Sequence, residues 1–117
     1  MGRPFMTGQI HFTPEAEHHL HSLDEWIAEH FNSDTARRVV EAILDHVDSI
    51  LEFPHAGRAR DDIRPGLRTT THSKRTLIAY EVDESSDEIA VNILGIFAGG
   101  QNWEHSLRTE EGAPESG

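Results

Sequence analysis

The chain has no cysteine. That excludes disulfides, a thiolate nucleophile, and any zinc or iron–sulfur site built on thiolates, and it suits a reducing compartment such as the cytoplasm. Nor is there an apolar run near the roughly 20 residues that a membrane-spanning helix needs. The first residues, MGRPFMTG, carry one arginine and no apolar stretch. They read as a loose leader over residues 1–8 rather than a secretory signal, and Met6 stands where a myristoylation signature wants Ser or Thr. Cations are scarce as well: 10 Lys and Arg stand against 21 Asp and Glu, a net charge of −11. So acidic a chain is a poor wrapper of nucleic acid, because phosphate contacts need a basic footprint. A protein partner, or a small local contact, is the better expectation.

What cations there are lie close together. Six of the ten fall within residues 54–75, PHAGRARDDIRPGLRTTTHSKR: Arg58, Arg60, Arg64, Arg68, Lys74 and Arg75. Only Asp61 and Asp62 oppose them there, leaving +4 on the window. The segment before it sets three cations against ten carboxylates, and the segment after it one against nine. An anionic surface approaching this protein is steered to the basic island and repelled elsewhere. The alternative is that these arginines pair with carboxylates on neighbouring faces, as surface charges commonly do.

Read in order, residues 9–12 alternate around Ile10 and Phe12 as a short strand. Thr13-Pro14-Glu15 opens a helix: Thr13 caps, Pro14 has the φ of a first turn, and Glu15 and Glu17 face the positive end of the dipole. Ala16, Leu20, Leu23 and Ile27 form its apolar stripe, which Trp26 and Phe31 broaden. Asn32-Ser33-Asp34 separates it from a second helix, with Ser33 as the expected cap. Ala36, Val39, Val40, Ile43, Leu44, Val47, Ile50 and Leu51 give that helix a wider apolar arc and so a deeper position, and Pro54 stops it near Phe53. Three β segments follow, at 67–72, 76–82 and 88–98, with DESSD as a polar turn between the last two. Residues 106–117 are acidic and apolar-poor, the composition of a disordered tail. The expected fold is one α+β domain over residues 9–105, in the order β-α-α-β-β-β. A helical hairpin would cover one face of a small, mostly antiparallel sheet, and the other face would stay partly open to a partner.

Four phrases in this order resemble the RelE/ParE toxins of type II toxin–antitoxin systems, the ParE branch in particular. FTPEAEHHLHSLDEWIAEH is similar to the opening strand and first helix, and ARRVVEAILDHVDSILEFPHAGR to the second helix with its P-x-x-G-R signature. IRPGLRTTTHSKRTLIAYEVDE is similar to the G-L-R and R-x-x-I-x-Y strands, and EIAVNILGIFAGGQNWE to the closing strand with its G-G-Q-[DN]-[WY]-E ending. The resemblance spans residues 10–104. It implies the same βααβββ fold, and a toxin held inactive by a cognate, ParD-like antitoxin. ParE-type members poison DNA gyrase; RelE-type members cleave mRNA on the ribosome. A third reading, compatible with the acidity and with Ala98, is a non-toxic homologue that serves only as an antitoxin partner.

The two activities need different residues. Metal-free RNA cleavage needs a base, cations for the developing phosphate charge and an acid for the leaving oxygen. Arg68, Lys74 and Arg75 can supply charge, and Tyr80 and His72 are the candidate acid and base, but Ala98 stands where such a group would project and has no proton to give. Poisoning by binding needs only a complementary surface, which Arg58, Arg60, Arg64, Arg68, Lys74 and Arg75 provide. Arg58 can equally brace its own loop. The expected antitoxin contacts are Trp26 and Phe31, beside a groove along the first helix, with Phe97 and Trp103 as further apolar anchors; Trp26 can equally be a core residue. His18 and His21, and His21 with Glu25, have spacings that share a helix face, but zinc wants three or four ligands, so a solvated face is the reading. No cofactor, metal or catalytic residue is expected, and DNA binding outside the basic island is not either.

Overall fold

The computed structural model describes residues 8–99 together with Glu104 and Leu107. Strand β1 (Gln9–Phe12) leads into helices α1 (Pro14–His30) and α2 (Ser33–Ile50), followed by strands β2 (Arg58–Ala59), β3 (Arg68–His72), β4 (Thr76–Asp83) and β5 (Ala90–Ala98). The sheet order is β1-β5-β4-β3-β2, with β1 parallel to β5 and every other pair antiparallel. This is the expected architecture plus one short strand, β2.

Local chemistry sets the helix ends. Thr13 accepts a hydrogen bond from the Ala16 amide (3.1 Å), and Pro14 follows it. At α2 the cap is Asn32 rather than Ser33: its extended backbone lets the carboxamide accept from the Thr35 amide at 2.8 Å. The Phe31 amide still bonds to Ile27, so α1 runs one residue too far to leave Ser33 outside the next helix. Beyond Ile50 the chain tightens into three-residue turns, Leu51 to Asp48, Glu52 to Ser49 and Phe53 to Ile50, and releases before Pro54.

The helices cover one face of the sheet. Ala16, Ile43, Val47, Ile50, Ile78, Tyr80, Val91, Ile93 and Ile96 make the main core, each large apolar side chain contributing about 1.5–3 kcal/mol by leaving water. Four of the buried residues come from α2 and two from α1, so α2 is the deeper helix. The opposite face, expected to stay partly open, carries instead a second apolar cluster: Ile63, Leu67, Ala79, Leu94, Phe97 and Leu107. Leu107 is thus buried at the start of the expected 106–117 tail; the rest of that tail, and residues 1–7 of the leader, lie outside the described residues. A bulge makes the two clusters possible. Ala79 faces Gly95 and Tyr80 faces Ile93, which leaves Leu94 as the extra residue and lets Ile93 and Ile96 reach the same core despite odd spacing.

Strand β1 covers only the first half of β5, and α1 shields the backbone beyond it. Thr13 Oγ1 donates to the Leu94 carbonyl at 3.4 Å, and the Ile96 amide donates to His19 Nδ1 at 3.2 Å. That nitrogen must be unprotonated to accept. Burial lowers the His19 pKa, His18 lowers it further, and Glu15 opposes them. His46 is lowered too, by burial and then by His72. The unfolded chain therefore binds more protons than the folded one just below the ordinary histidine value, so stability is full above about pH 6.5 and falls as the pH drops through the folded values. We expect the urea midpoint to fall between about pH 7.5 and about pH 5.5, and to fall less in a His19→Asn/His46→Asn variant. Equal slopes in the two proteins would refute the assignment.

Candidate functional site

The basic island is built on a buried phenol. Tyr80 is 1% exposed, and its hydroxyl needs partners there. It donates to the Pro54 carbonyl (3.0 Å) and accepts from the Gly57 amide (3.1 Å). Burial raises its pKa, against the Gly57 hydrogen bond and the charge of Arg68. A Cβ at residue 57 would clash with the Tyr80 hydroxyl and lie 2.9 Å from its Cζ, so only glycine fits. Arg68 Nη1 then donates to both the His55 carbonyl (3.0 Å) and the Gly57 carbonyl (2.7 Å). This latch lays residues 54–57 against β3 and β4 and delivers Arg58 and Ala59 into register with Thr69 and Arg68. It also explains β2, which Arg58 and Ala59 do not announce by β propensity.

The latch divides the six cations. Arg68 is a strut. Arg60 forms a bidentate pair with Asp62 (3.0 and 2.9 Å) and reaches Glu104 at 3.5 Å, and the Asp62 hydrogen bond is the main reason its pKa is raised. Asp61 bonds to the Gly66 amide at 2.8 Å. The expectation that all six face a target is therefore corrected for Arg60 and Arg68, whose guanidiniums hold the loop. Arg58, Lys74 and Arg75 are exposed and Arg64 is half-buried; none of the four has a side-chain ion pair or hydrogen bond among the described residues. Arg58 stands opposite Thr69, and Lys74 and Arg75 follow the far end of β3, so these cations run along the β2–β3 edge for about 15 Å. The β3–β4 turn presenting Lys74 holds positive φ at both Ser73 (54°) and Lys74 (62°), the pairing of a type I′ turn, which favours Asn-Gly.

The expected aromatic anchors separate. Trp26 is 51% exposed and Phe31 65%; Trp26 stacks on His30 at 4.1 Å and meets Phe31 edge-on at 6.2 Å. They are surface residues, as expected of a contact, and Trp26 is not in the core. Phe97 is 5% exposed within the second cluster, so it is a core residue and not an anchor. Trp103 lies outside the described residues. Phe53, exposed by 69% three residues past the end of α2, is a further apolar contact candidate. Between α1 and α2 runs a groove of about 770 Å³, lined by residues that do not include Trp26 or Phe31. At 100° per residue, Trp26 points to the opposite side of α1 from Glu17, His21, Asp24 and Ala28, which line it.

The fold engages the candidate proton-transfer groups to different degrees. Tyr80 has committed its proton to Pro54. His72 meets His46 edge-on at 5.3 Å, and His46 Nε2 lies 3.2 Å from Thr70 Oγ1. His21 pairs with Glu25 at 3.1 Å, and no three His, Cys, Asp or Glu residues converge as a metal site among the described residues. Among those residues no helix is long and apolar enough to cross a membrane.

A family model described as "ParE toxin of type II toxin-antitoxin system, parDE" matches residues 10–103. Two relatives named Toxin ParE1, from Mycobacterium tuberculosis strains CDC 1551 / Oshkosh and ATCC 25618 / H37Rv, are each 25% identical over 84 residues, covering 72% of this chain and 86% of theirs. A solved structure titled "Chromosomal ParDE TA system from P. aeruginosa" aligns with a TM-score of 0.65 at 21% identity, over 83% of this chain and 99% of that one; at that identity it supports the fold.

Two measurements check this geometry. Tyr80→Phe strands the half-buried Gly57 amide and Pro54 carbonyl and should cost about 1–3 kcal/mol in urea unfolding, with Gly57→Ala costing more through the clash. A loss below about 0.5 kcal/mol for both would contradict the latch. In contrast, Ser73→Asn/Lys74→Gly relieves the positive φ and should raise stability by about 1 kcal/mol or more; a lower melting temperature would contradict the assigned turn.

Proposed function

Because this chain belongs to the ParE toxin family of type II toxin–antitoxin systems, we propose that it arrests growth in the cytoplasm by binding and poisoning DNA gyrase, and that a cognate ParD-like antitoxin neutralises it. The observation that carries this reading is the set Arg58, Lys74 and Arg75 along the β2–β3 edge with Arg64 in the adjoining loop: four cations without partners among the described residues, on a chain of net charge −11. A field so local suits an acidic protein surface, or the DNA backbone held on gyrase, and gives little purchase on free nucleic acid. The protein then works by grip. Nuclease chemistry is the weaker alternative, since Tyr80, its candidate acid, is buried with its proton given to the Pro54 carbonyl. Trp26, Phe31 and Phe53 are the exposed apolar residues available to the antitoxin.

The test is a gyrase supercoiling assay run beside a ribosome-dependent mRNA cleavage assay. The protein should poison supercoiling and leave mRNA intact. Arg58→Ala/Arg64→Ala/Lys74→Ala/Arg75→Ala should weaken poisoning by about tenfold or more at unchanged stability. Turnover cleavage of mRNA, or undiminished poisoning by the quadruple variant, would overturn the proposal.

A further inference from the structure

The β2–β3 edge is left incomplete by the joint that builds it. Strand β4 pairs with all five residues of β3, whereas β2 pairs only with Arg68 and Thr69. At the same register Ala56 would stand opposite Thr71, but the Ala56 amide turns back to the Phe53 carbonyl and the Gly57 amide is held by the Tyr80 hydroxyl. Backbone groups along a strand face alternate sides. The Leu67 carbonyl accepts from the Arg60 amide on the β2 side, and Thr69 pairs with Arg58 there. Thr71 therefore turns its N–H and C=O to that side as well, beyond the reach of β2. Its side chain is exposed, and the hydroxyl has no hydrogen bond among the described residues. Arg58 stands opposite Thr69, about 7 Å along the edge from Thr71, and the turn opens with Ser73 about 7 Å on the other side. No carboxylate lies within residues 68–75. The turn keeps Ser73 and Lys74 at positive φ, where Asn and Gly are the easy occupants. A strained lysine without a partner among the described residues marks that tip as a contact.

We infer that this edge grips the phosphodiester backbone of one DNA strand, in the duplex that gyrase holds. The inference rests on the gyrase reading above and names which of two anionic surfaces the cations meet. Successive phosphates of one strand lie roughly 7 Å apart along it, which is the interval between Arg58, Thr71 and the turn. Arg, Lys, Ser and Thr side chains and backbone amides are the groups that contact DNA phosphates, and the edge is made of these. Such contacts read no bases, so the grip has no sequence preference. An acidic protein segment added as a strand is the poorer occupant. Strand addition needs a run of free edge residues, and between β2 and the turn only Thr71 faces outward. Three cations on a chain of net charge −11 hold free DNA weakly, so the contact acts on DNA that another surface has already brought close.

Amide chemical shifts of the full chain, titrated with a short DNA duplex and separately with a short polyglutamate peptide, test this at the high concentrations that weak binding needs. The duplex should shift the Arg58, Thr71, Ser73, Lys74 and Arg75 amides and bind at least about tenfold more tightly than the peptide. Its affinity should fall with salt at a log–log slope of about −2.7, three contacts at about 0.9 each. Lys74→Ala and Arg75→Ala should each make that slope shallower by about 1. Thr71→Val, which keeps the shape and loses the hydroxyl, should weaken binding about threefold or more at an unchanged slope. Shifts absent from this edge, a peptide that binds as well as the duplex, or a slope indifferent to Lys74 and Arg75 would overturn the inference. Gyrase is absent from these titrations, so their failure is distinct from a failure of the gyrase reading.

Discussion

The fold turns on a hydroxyl group that has to be satisfied away from water. Tyr80 lies in the middle of β4, on the face that the helices cover, where a phenol without partners would be costly. The backbone at Pro54 and Gly57 meets both its needs, and that requirement brings the end of α2 back across the sheet. Arg68 closes the arrangement from β3 by donating to the carbonyls of His55 and Gly57. Sequence elements some 25 positions apart, P-x-x-G and the tyrosine of the central strand, are thus two sides of one joint. What the joint positions is the start of β2, and with it the first residue of the cationic strip.

From that joint the charge distribution acquires its meaning. The cations fall into two kinds that composition does not distinguish: Arg60 and Arg68 are internal ties, whereas Arg58, Lys74 and Arg75 lie exposed along the β2–β3 edge and Arg64 sits half-buried in the loop between those strands. The carboxylates also divide, some lying on open helix faces and others, Glu17, Asp24, Asp34 and Glu41, lining the groove between α1 and α2. A protein of strongly negative net charge thereby holds one positive edge on a largely acidic surface. Surface charge at such places contributes little to stability and much to the choice of partner, which is how a small fold can discriminate between partners.

Much of the fold was legible in the sequence because periodicity and capping are local. Thr13-Pro14, the stripe of α1, the wider arc of α2 and the apolar run of β5 announced elements that the structure contains. The errors arose where the deciding interaction is distant. Ser33 and Asn32 are equally good caps on paper, and the extra residue of α1 decided for Asn32. The bulge at Leu94 is invisible in a run apolar throughout, and it determines that Phe97 faces the second cluster instead of a partner. Trp26 and Phe31 read as a broadening of the apolar stripe of α1, with Trp26 as easily a core residue as a contact; the structure exposes both and leaves both out of the groove lining. The basic island was legible as a density of charge. Which of its members are struts depended on Asp62, Glu104 and two carbonyls that the linear order does not bring together. The strain at Ser73 and Lys74 had no signal, since neither residue is a usual occupant of positive φ.

The account's central claim is that the loop bearing the cationic strip is held by the Tyr80 hydroxyl. Amide hydrogen exchange at Gly57 reads this directly, because its N–H has that hydroxyl as partner. Protection approaching that of the β4–β5 core amides, opening only with global unfolding, is what the account predicts. Exchange at the rate of an unprotected surface loop would contradict it.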